Sequence, residues 1–202
     1  MNKTIIGALA GAAVLAAAGC GGALRQVERL AAESSPTAAT PAATPPVSPT
    51  GSPSLLTGRA QVEELRKAAQ AALAAVPGST LSAIETEENG RLWEVQVVGQ
   101  DGTEHEMDVA NGNVVNGPTA EEEDAGEKAK HRERVKAAKL DYAQAADKIV
   151  ADFPEGRITE LNLDTRQGKT VWESDVVTPD GTKHEVVVDA ATGTLTRTGA
   201  TT

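Results

Sequence analysis

Apolar residues recur at helical spacing in two stretches of the chain. In the first, Val62, Leu65, Ala69 and Leu73 stand three or four residues apart, which predicts a helix over about 59–75. Pro77 and the glycine after it end that pattern. In the second, the stripe runs from Val135 to Phe153 and overlaps the end of a charged stretch over 121–139. With Thr119 as a cap and Glu122 three residues later, the sequence predicts one long helix there, which Gly126 could break.

Shorter stretches alternate between apolar and polar residues and are separated by Asn-Gly, Asp-Gly or similar pairs. Such pairs tolerate positive φ and close tight antiparallel hairpins. The predicted strands are 81–86, 92–98 and 105–109 in the first half and 158–163, 170–178 and 183–189 in the second.

The two halves repeat one another. Trp93 followed by Asp101-Gly102 recurs as Trp172 followed by Asp180-Gly181, always 79 residues further on. A repeat of this length carries a small fold. The sequence therefore predicts an α+β protein of two tandem repeats, 58–117 and 140–202, joined by a charged helical connector over 118–139. Each repeat is expected to pack one helix on a three-stranded antiparallel sheet, whose exposed edges could accept an extended peptide.

The chain begins like an exported protein. Lys3 precedes an uncharged run that is too short to span a bilayer and ends in small residues, which indicates a signal peptide over 1–19. Cys20, the chain's one cysteine, follows directly, as in a bacterial lipobox, and we expect it to carry the lipid anchor. Residues 20–57 are rich in Pro, Ala and Thr and predict an extended linker.

The net charge of −10 disfavours nucleic acid as a partner, because affinity for phosphate backbones comes mostly from Lys and Arg. An acidic exported surface serves solubility, or else it binds cations. No nucleophile elbow, phosphate loop or zinc-peptidase motif is present, so the sequence predicts no catalytic residues and no cofactor. His105 and His184 lie at equivalent strand positions. His105 shares a face with Met107 and Val109, and His184 shares one with Val186 and Val188. We interpret both as half-buried sheet residues rather than metal ligands.

The repeated phrases resemble the PepSY domain family. The resemblance rests on the tryptophans with their Asp-Gly turns and on two closing segments. In the second closing segment, Asp189-Ala190 precedes Thr192-Gly193; in the first, Asn111-Gly112 takes the place of the Thr-Gly turn. For most of these residues a structural role is expected, with glycines at turns and tryptophans filling each core. The motif set is Trp93, Asp101, Gly102, Gly112, Trp172, Asp180, Gly181, Asp189 and Gly193.

The family resemblance implies a non-catalytic extracytoplasmic module that restrains or regulates a peptidase. Together with Cys20 it predicts a lipid-anchored surface protein, held to the cell membrane, that binds an exported peptidase or another envelope protein. The alternative is a sensor lipoprotein that binds a cation or a small ligand through its acidic surface.

Overall fold

A computed structural model describes residues 58–87 and 90–201. The predicted signal peptide, the lipid attachment site at Cys20 and the linker over 20–57 lie outside the described residues and stay predictions. Among the helices of the described part, none is long and apolar enough to cross a membrane.

The first repeat follows the predicted order and adds one strand. Its elements are α1 (Gly58–Ala75), β1 (Thr80–Glu87), β2 (Leu92–Val98), β3 (Glu104–Ala110) and β4 (Asn113–Ala120). The turn at Asn111-Gly112, where both residues have positive φ, reverses the chain into β4. The predicted helix and three strands are therefore confirmed to within two residues at each end.

A connector helix, α2 (Ala125–Ala137), precedes the second repeat, which has the same plan as the first. The elements of this repeat are α3 (Tyr142–Asp152), β5 (Arg157–Arg166), β6 (Lys169–Val177), β7 (Lys183–Asp189) and β8 (Leu195–Thr201). The prediction of one long helix is wrong, because α2 ends at Ala137 and α3 starts afresh. Asp141 caps α3 in a capping box with Gln144. The predicted cap at Thr119 is also wrong: this residue lies in β4, and Asp124 caps α2.

The two repeats share one antiparallel sheet of eight strands in the order β4-β3-β2-β1-β5-β6-β7-β8. The first strands of the repeats pair at the centre, where Ile84 lies opposite Leu161. The α+β class and the tandem repeats are thus confirmed. The separate three-stranded sheets are replaced by four strands from each repeat, joined edge to edge at the centre.

One hydrophobic core unites the repeats on a single face of the sheet. Helices α1 and α3 contact each other and cover this face. Trp93 and Trp172 lie in the core at 5% and 1% exposure. The Gln61 side chain of α1 bonds both the backbone N–H and the carbonyl of Ile158 in β5, so the first helix is tied to the second repeat. Because the core is continuous, the repeats are expected to unfold together.

Helix α2 differs from the other two helices because none of its residues is buried. It contacts β2 and β5 at one end of the sheet. There Arg132 donates to the carbonyl of Asp101, and Arg134 donates to the carbonyl of Leu163. The helix therefore links the β2–β3 turn of the first repeat to the end of β5 in the second.

Candidate functional site: the acidic face of the sheet

The face of the sheet opposite α1 and α3 carries an unusual row of acids. Strand alternation sends side chains to opposite faces, so the residues between the core positions point away from those helices. One carboxylate from each of six neighbouring strands falls on the same line across the sheet. This carboxylate row consists of Asp108, Glu94, Glu85, Glu160, Asp175 and Glu185.

The strand registers place the members of the row directly opposite one another. Glu94 pairs with Asp108 on one side and with Glu85 on the other. Across the junction of the repeats Glu85 pairs with Glu160, which in turn pairs with Asp175. Like charges directly opposite each other destabilise a sheet, so the row costs free energy when it is fully ionised.

The environment of Glu94 disfavours its ionised form. Partial burial is the main cause, and the charges of Glu106, Glu85 and Asp108 add to it, raising the pKa of Glu94 to about 7. A carboxyl group with such a pKa is partly protonated at neutral pH. The first-repeat half of the row can therefore take up a proton.

A second proton site lies across the junction of the repeats. Burial, a hydrogen bond with Asp175 and the charges of Asp175 and Glu85 raise the pKa of Glu160 to about 7, against the opposing bond from Asn162. Burial and neighbouring acids also raise the pKa of Glu85. Burial and acidic neighbours thus raise the pKa of Glu85, Glu94 and Glu160, so these three carboxyl groups hold protons to higher pH than ordinary glutamates do.

Lys183 provides a counter-charge at one end of the row. Its Nζ lies 2.5 Å from a carboxylate oxygen of Asp175, whose side chain is 15% exposed. This hydrogen bond raises the pKa of Lys183 and so favours the charged lysine. The pair neutralises part of the charge at this end, and a positively charged partner would complement the acids of the row that have no such counter-charge.

The acids of the repeated motif serve the turns and lie outside the row. Asp101 accepts hydrogen bonds from the N–H and the hydroxyl of Thr103, and Asp180 accepts them from Thr178 and Thr182 in the same way. Asp189 accepts from two backbone N–H groups in the turn before β8. These bonds stabilise the ionised form and lower the pKa of each acid.

The motif glycines and tryptophans also have structural positions. Gly102, Gly112, Gly181 and Gly193 all adopt positive φ in turns. At Gly102 a Cβ would collide with the carbonyl oxygen of Lys128, so this glycine also allows α2 to approach the turn. The indole Nε1 of Trp172 donates to the carbonyl of Leu140 at 2.9 Å and fixes the break between α2 and α3.

His105 and His184 lie where strand alternation predicts them, half-buried on the helix-covered face. The ring of His184 packs against that of Phe153, with centroids 5.0 Å apart. The structure does not bring these two histidines to the carboxylate row. It gathers a different set, in which His131 meets Glu104 and Glu123.

The fold agrees with a match to a known family. The profile of the PepSY family, described as "Peptidase propeptide and YPEB domain", matches residues 63–116 and 139–198. Together these regions make up more than half of the chain. The chain therefore belongs to the PepSY family and contains two copies of its domain.

Comparisons with curated proteins and with solved structures give less information about this chain. A search of the curated proteins finds no match. Among solved structures, the chain is similar to a crystal structure of a candidate lipoprotein from Clostridium difficile 630, with 18% identity and a TM-score of 0.43. The likeness covers 61% of this chain and 84% of that one. A likeness at this level is too low to extend that protein's description to this chain.

Proposed function

We propose that this chain is a non-catalytic binding protein of the cell envelope that engages and restrains an exported peptidase or another envelope protein. The match of both repeats to a family described by peptidase propeptides carries the proposal. The acids and glycines of the motif support the non-catalytic part of the proposal. Their hydrogen bonds and positive φ values give them structural roles in turns.

Two edge strands remain where a partner could add an extended segment. The joining of the repeats pairs β1 with β5, so the outer edges of the sheet are β4 and β8. β4 contains Gly117 and Pro118 and has two irregularities in its pairing with β3. β8 contains no proline and has one irregularity in its pairing with β7. It is therefore the better template for an added strand.

Inhibition assays test this proposal. The protein is titrated into secreted proteases of its host and into thermolysin, and the residual activity is measured. A dose-dependent loss of activity without cleavage of the added protein is expected. Flat activity against all of these proteases would contradict the peptidase partner, and a pull-down from envelope extract would then test the other envelope proteins.

A pair of variants at one position tests the role of β8. Thr198→Pro removes a backbone N–H from the edge strand, whereas Thr198→Ala removes the side chain alone and keeps the N–H. Thr198→Pro is expected to abolish inhibition and Thr198→Ala to preserve it, with unchanged helix content by circular dichroism in both. Equal inhibition by the two variants would exclude strand addition at this edge.

The proposed location depends on Cys20. Membrane fractionation should find the native chain with the membrane and a Cys20→Ser variant in the soluble extracytoplasmic fraction, because the lipid attached to this cysteine supplies the anchor. A membrane-bound Cys20→Ser variant would contradict lipidation as the means of attachment.

The carboxylate row supports a second candidate function, that of a sensor for a cation or a small cationic ligand. Six carboxylates in line across six strands, with Lys183 at one end, favour positively charged ligands. Calorimetric titration with calcium tests the simplest version. Binding heat that saturates at a defined molar ratio of calcium to protein would support the sensor function. A titration without binding heat would exclude calcium as the ligand.

A further inference from the structure

Three side chains with metal-binding groups converge where the connector meets the sheet. Glu104 begins β3, Glu123 lies just before α2, and His131 lies in the second turn of that helix. One potential ligand atom from each residue lies within 4.8 Å of the other two. The set combines an imidazole nitrogen with two carboxylates, whereas the carboxylate row is purely acidic.

The two acids are held in place by hydrogen bonds from the fold. One oxygen of Glu123 accepts the backbone N–H of Glu104 at 3.0 Å. One oxygen of Glu104 accepts the hydroxyl of Ser82 at 2.7 Å, and Ser82 is itself 5% exposed. Hydrogen bonds of this kind orient ligating carboxylates in metal sites. Each carboxylate keeps a second oxygen, and that of Glu123 faces His131.

The imidazole of His131 has an unsatisfied nitrogen. Its Nδ1 lies 3.4 Å from Glu123 Oε1, but the two atoms do not meet hydrogen-bond geometry, and Nδ1 is buried without a partner. The side chains of His131 and Glu123 are only 12% and 11% exposed. A buried polar atom without a partner costs free energy, and a bound ion would remove that cost.

The charge at this position is also unbalanced. Among the ion pairs that the described residues form, none joins a lysine or arginine to Glu104 or Glu123. The nearest charged contact of the set is between Glu123 and His131 themselves. A largely enclosed carboxylate at Glu123 and a partly buried one at Glu104, beside one imidazole, favour a positive charge here, which a divalent cation provides.

Helix α2 has weak hydrophobic anchoring. None of its residues is fully buried, although Val135 packs against the core from a partly buried position, and the helix lies against both repeats. An ion held by one ligand from β3, one from the segment before α2 and one from α2 itself would bind the helix to the sheet.

We propose that Glu104, Glu123 and His131 bind one zinc-class divalent ion, which fastens the connector helix to the first repeat. Nitrogen and carboxylate ligands suit zinc, at about 2.0–2.2 Å each, with water as the fourth ligand. Hard cations such as calcium and magnesium prefer oxygen ligands alone. The second repeat lacks the site, because Lys183 occupies the strand position that corresponds to Glu104.

Zinc titration of the full chain tests the proposal. All proteins carry Cys20→Ser, so that a free thiolate does not contribute a ligand of its own. Calorimetry should show one ion per chain, and His131→Gln should lose this binding at concentrations that saturate the parent. Binding retained by His131→Gln, or absent from the parent, would overturn the proposal.

The other histidines provide matched controls. His105→Gln and His184→Gln make the same change on the helix-covered face and should bind zinc as the parent does. Loss of binding in either variant alone would place the ion elsewhere. Ser82→Ala keeps all three ligands but removes the bond to Glu104, so it should weaken binding by roughly tenfold or more.

Histidine-selective NMR of the protein with all three ligands intact tests the site without relying on variants that could fail to fold. On addition of zinc, the ring signals of a single histidine should shift, and assignment should identify it as His131. Cobalt in place of zinc should give the intense visible bands of a four-coordinate ion. Shifts confined to His105 or His184, or the weak spectrum of a six-coordinate cobalt ion, would contradict the assignment.

Discussion

The two faces of the sheet come from the same strands but differ in character: one is apolar and buried, and the other is acidic. On the helix-covered face, the central residues Ile84 and Leu161 are fully buried and belong to one core that spans both repeats. On the other face their chain neighbours Glu85 and Glu160 bring two carboxylates into direct opposition. Two adjacent residues of β5 therefore make a buried apolar contact on one face and a pairing of like charges on the other.

This contrast separates what holds the molecule together from what it presents to a partner. Burial of the covered face supplies the stability that offsets the repulsion along the carboxylate row. A sheet selected for stability alone would alternate acidic with basic or neutral residues across strands. The accumulation of acids on one line therefore favours a role in binding, in agreement with the proposed function.

The largest effect is expected from the covered face at the junction of the repeats. Leu161→Ala removes a side chain with 0% exposure and leaves a cavity between the two halves of the core. We expect the free energy of unfolding to fall by about 2–5 kcal/mol. Urea denaturation should show this loss in one transition, followed alike by fluorescence and by circular dichroism. Two separate transitions would contradict the continuous core.

Local signals along the chain predict much of this fold. Apolar spacing identifies α1, and the turns at Asn111-Gly112 and Asp180-Gly181 limit the neighbouring strands correctly. The outer strands β4 and β8 escape such reasoning because their residues are mostly exposed and their alternation is weak. The break before α3 was predictable from the sequence, because Asp141 and Gln144 stand at the spacing of a capping box.

Tertiary pairing decides the features that sequence reasoning missed. The carboxylate row exists only because β1 pairs with β5 in a register that sets Glu85 against Glu160. No local pattern specifies a register between strands of different repeats. The set of Glu104, Glu123 and His131 likewise depends on where α2 docks, and the spacing of histidines along the strands carries no sign of it.

An intermediate effect is expected when the charge on the open face is changed by pH. The pKa values of Glu94 and Glu160 are about 7, above the ordinary value of 4.5, so the folded state binds more protons than the unfolded chain between these limits. Stability should therefore fall as pH rises from about 5 to 8. Because both groups are partly exposed, solvent screening reduces the total to about 1–2 kcal/mol.

Urea denaturation at pH 5.5 and pH 8 measures this difference. A double variant, Glu94→Gln with Glu160→Gln, keeps the shape of the row but cannot titrate at those positions, and its stability should change much less between the two pH values. A pH dependence that persists unchanged in the double variant would assign the effect to other groups.

The smallest effect separates the row from acidity in general. Glu160→Gln removes one charge that faces both Glu85 and Asp175 and keeps a polar side chain. At pH 8 it should therefore stabilise the fold by about 0.5–1 kcal/mol, and at pH 5 it should have no effect on stability.

Glu173→Gln is the matched control on the same face, because Glu173 stands opposite Asn162 and Val187 rather than opposite acids. It also lies 3.5 Å from Arg166, so its loss should leave stability unchanged or slightly lower. Equal stabilisation by both variants would show that net charge matters and the alignment of the row does not.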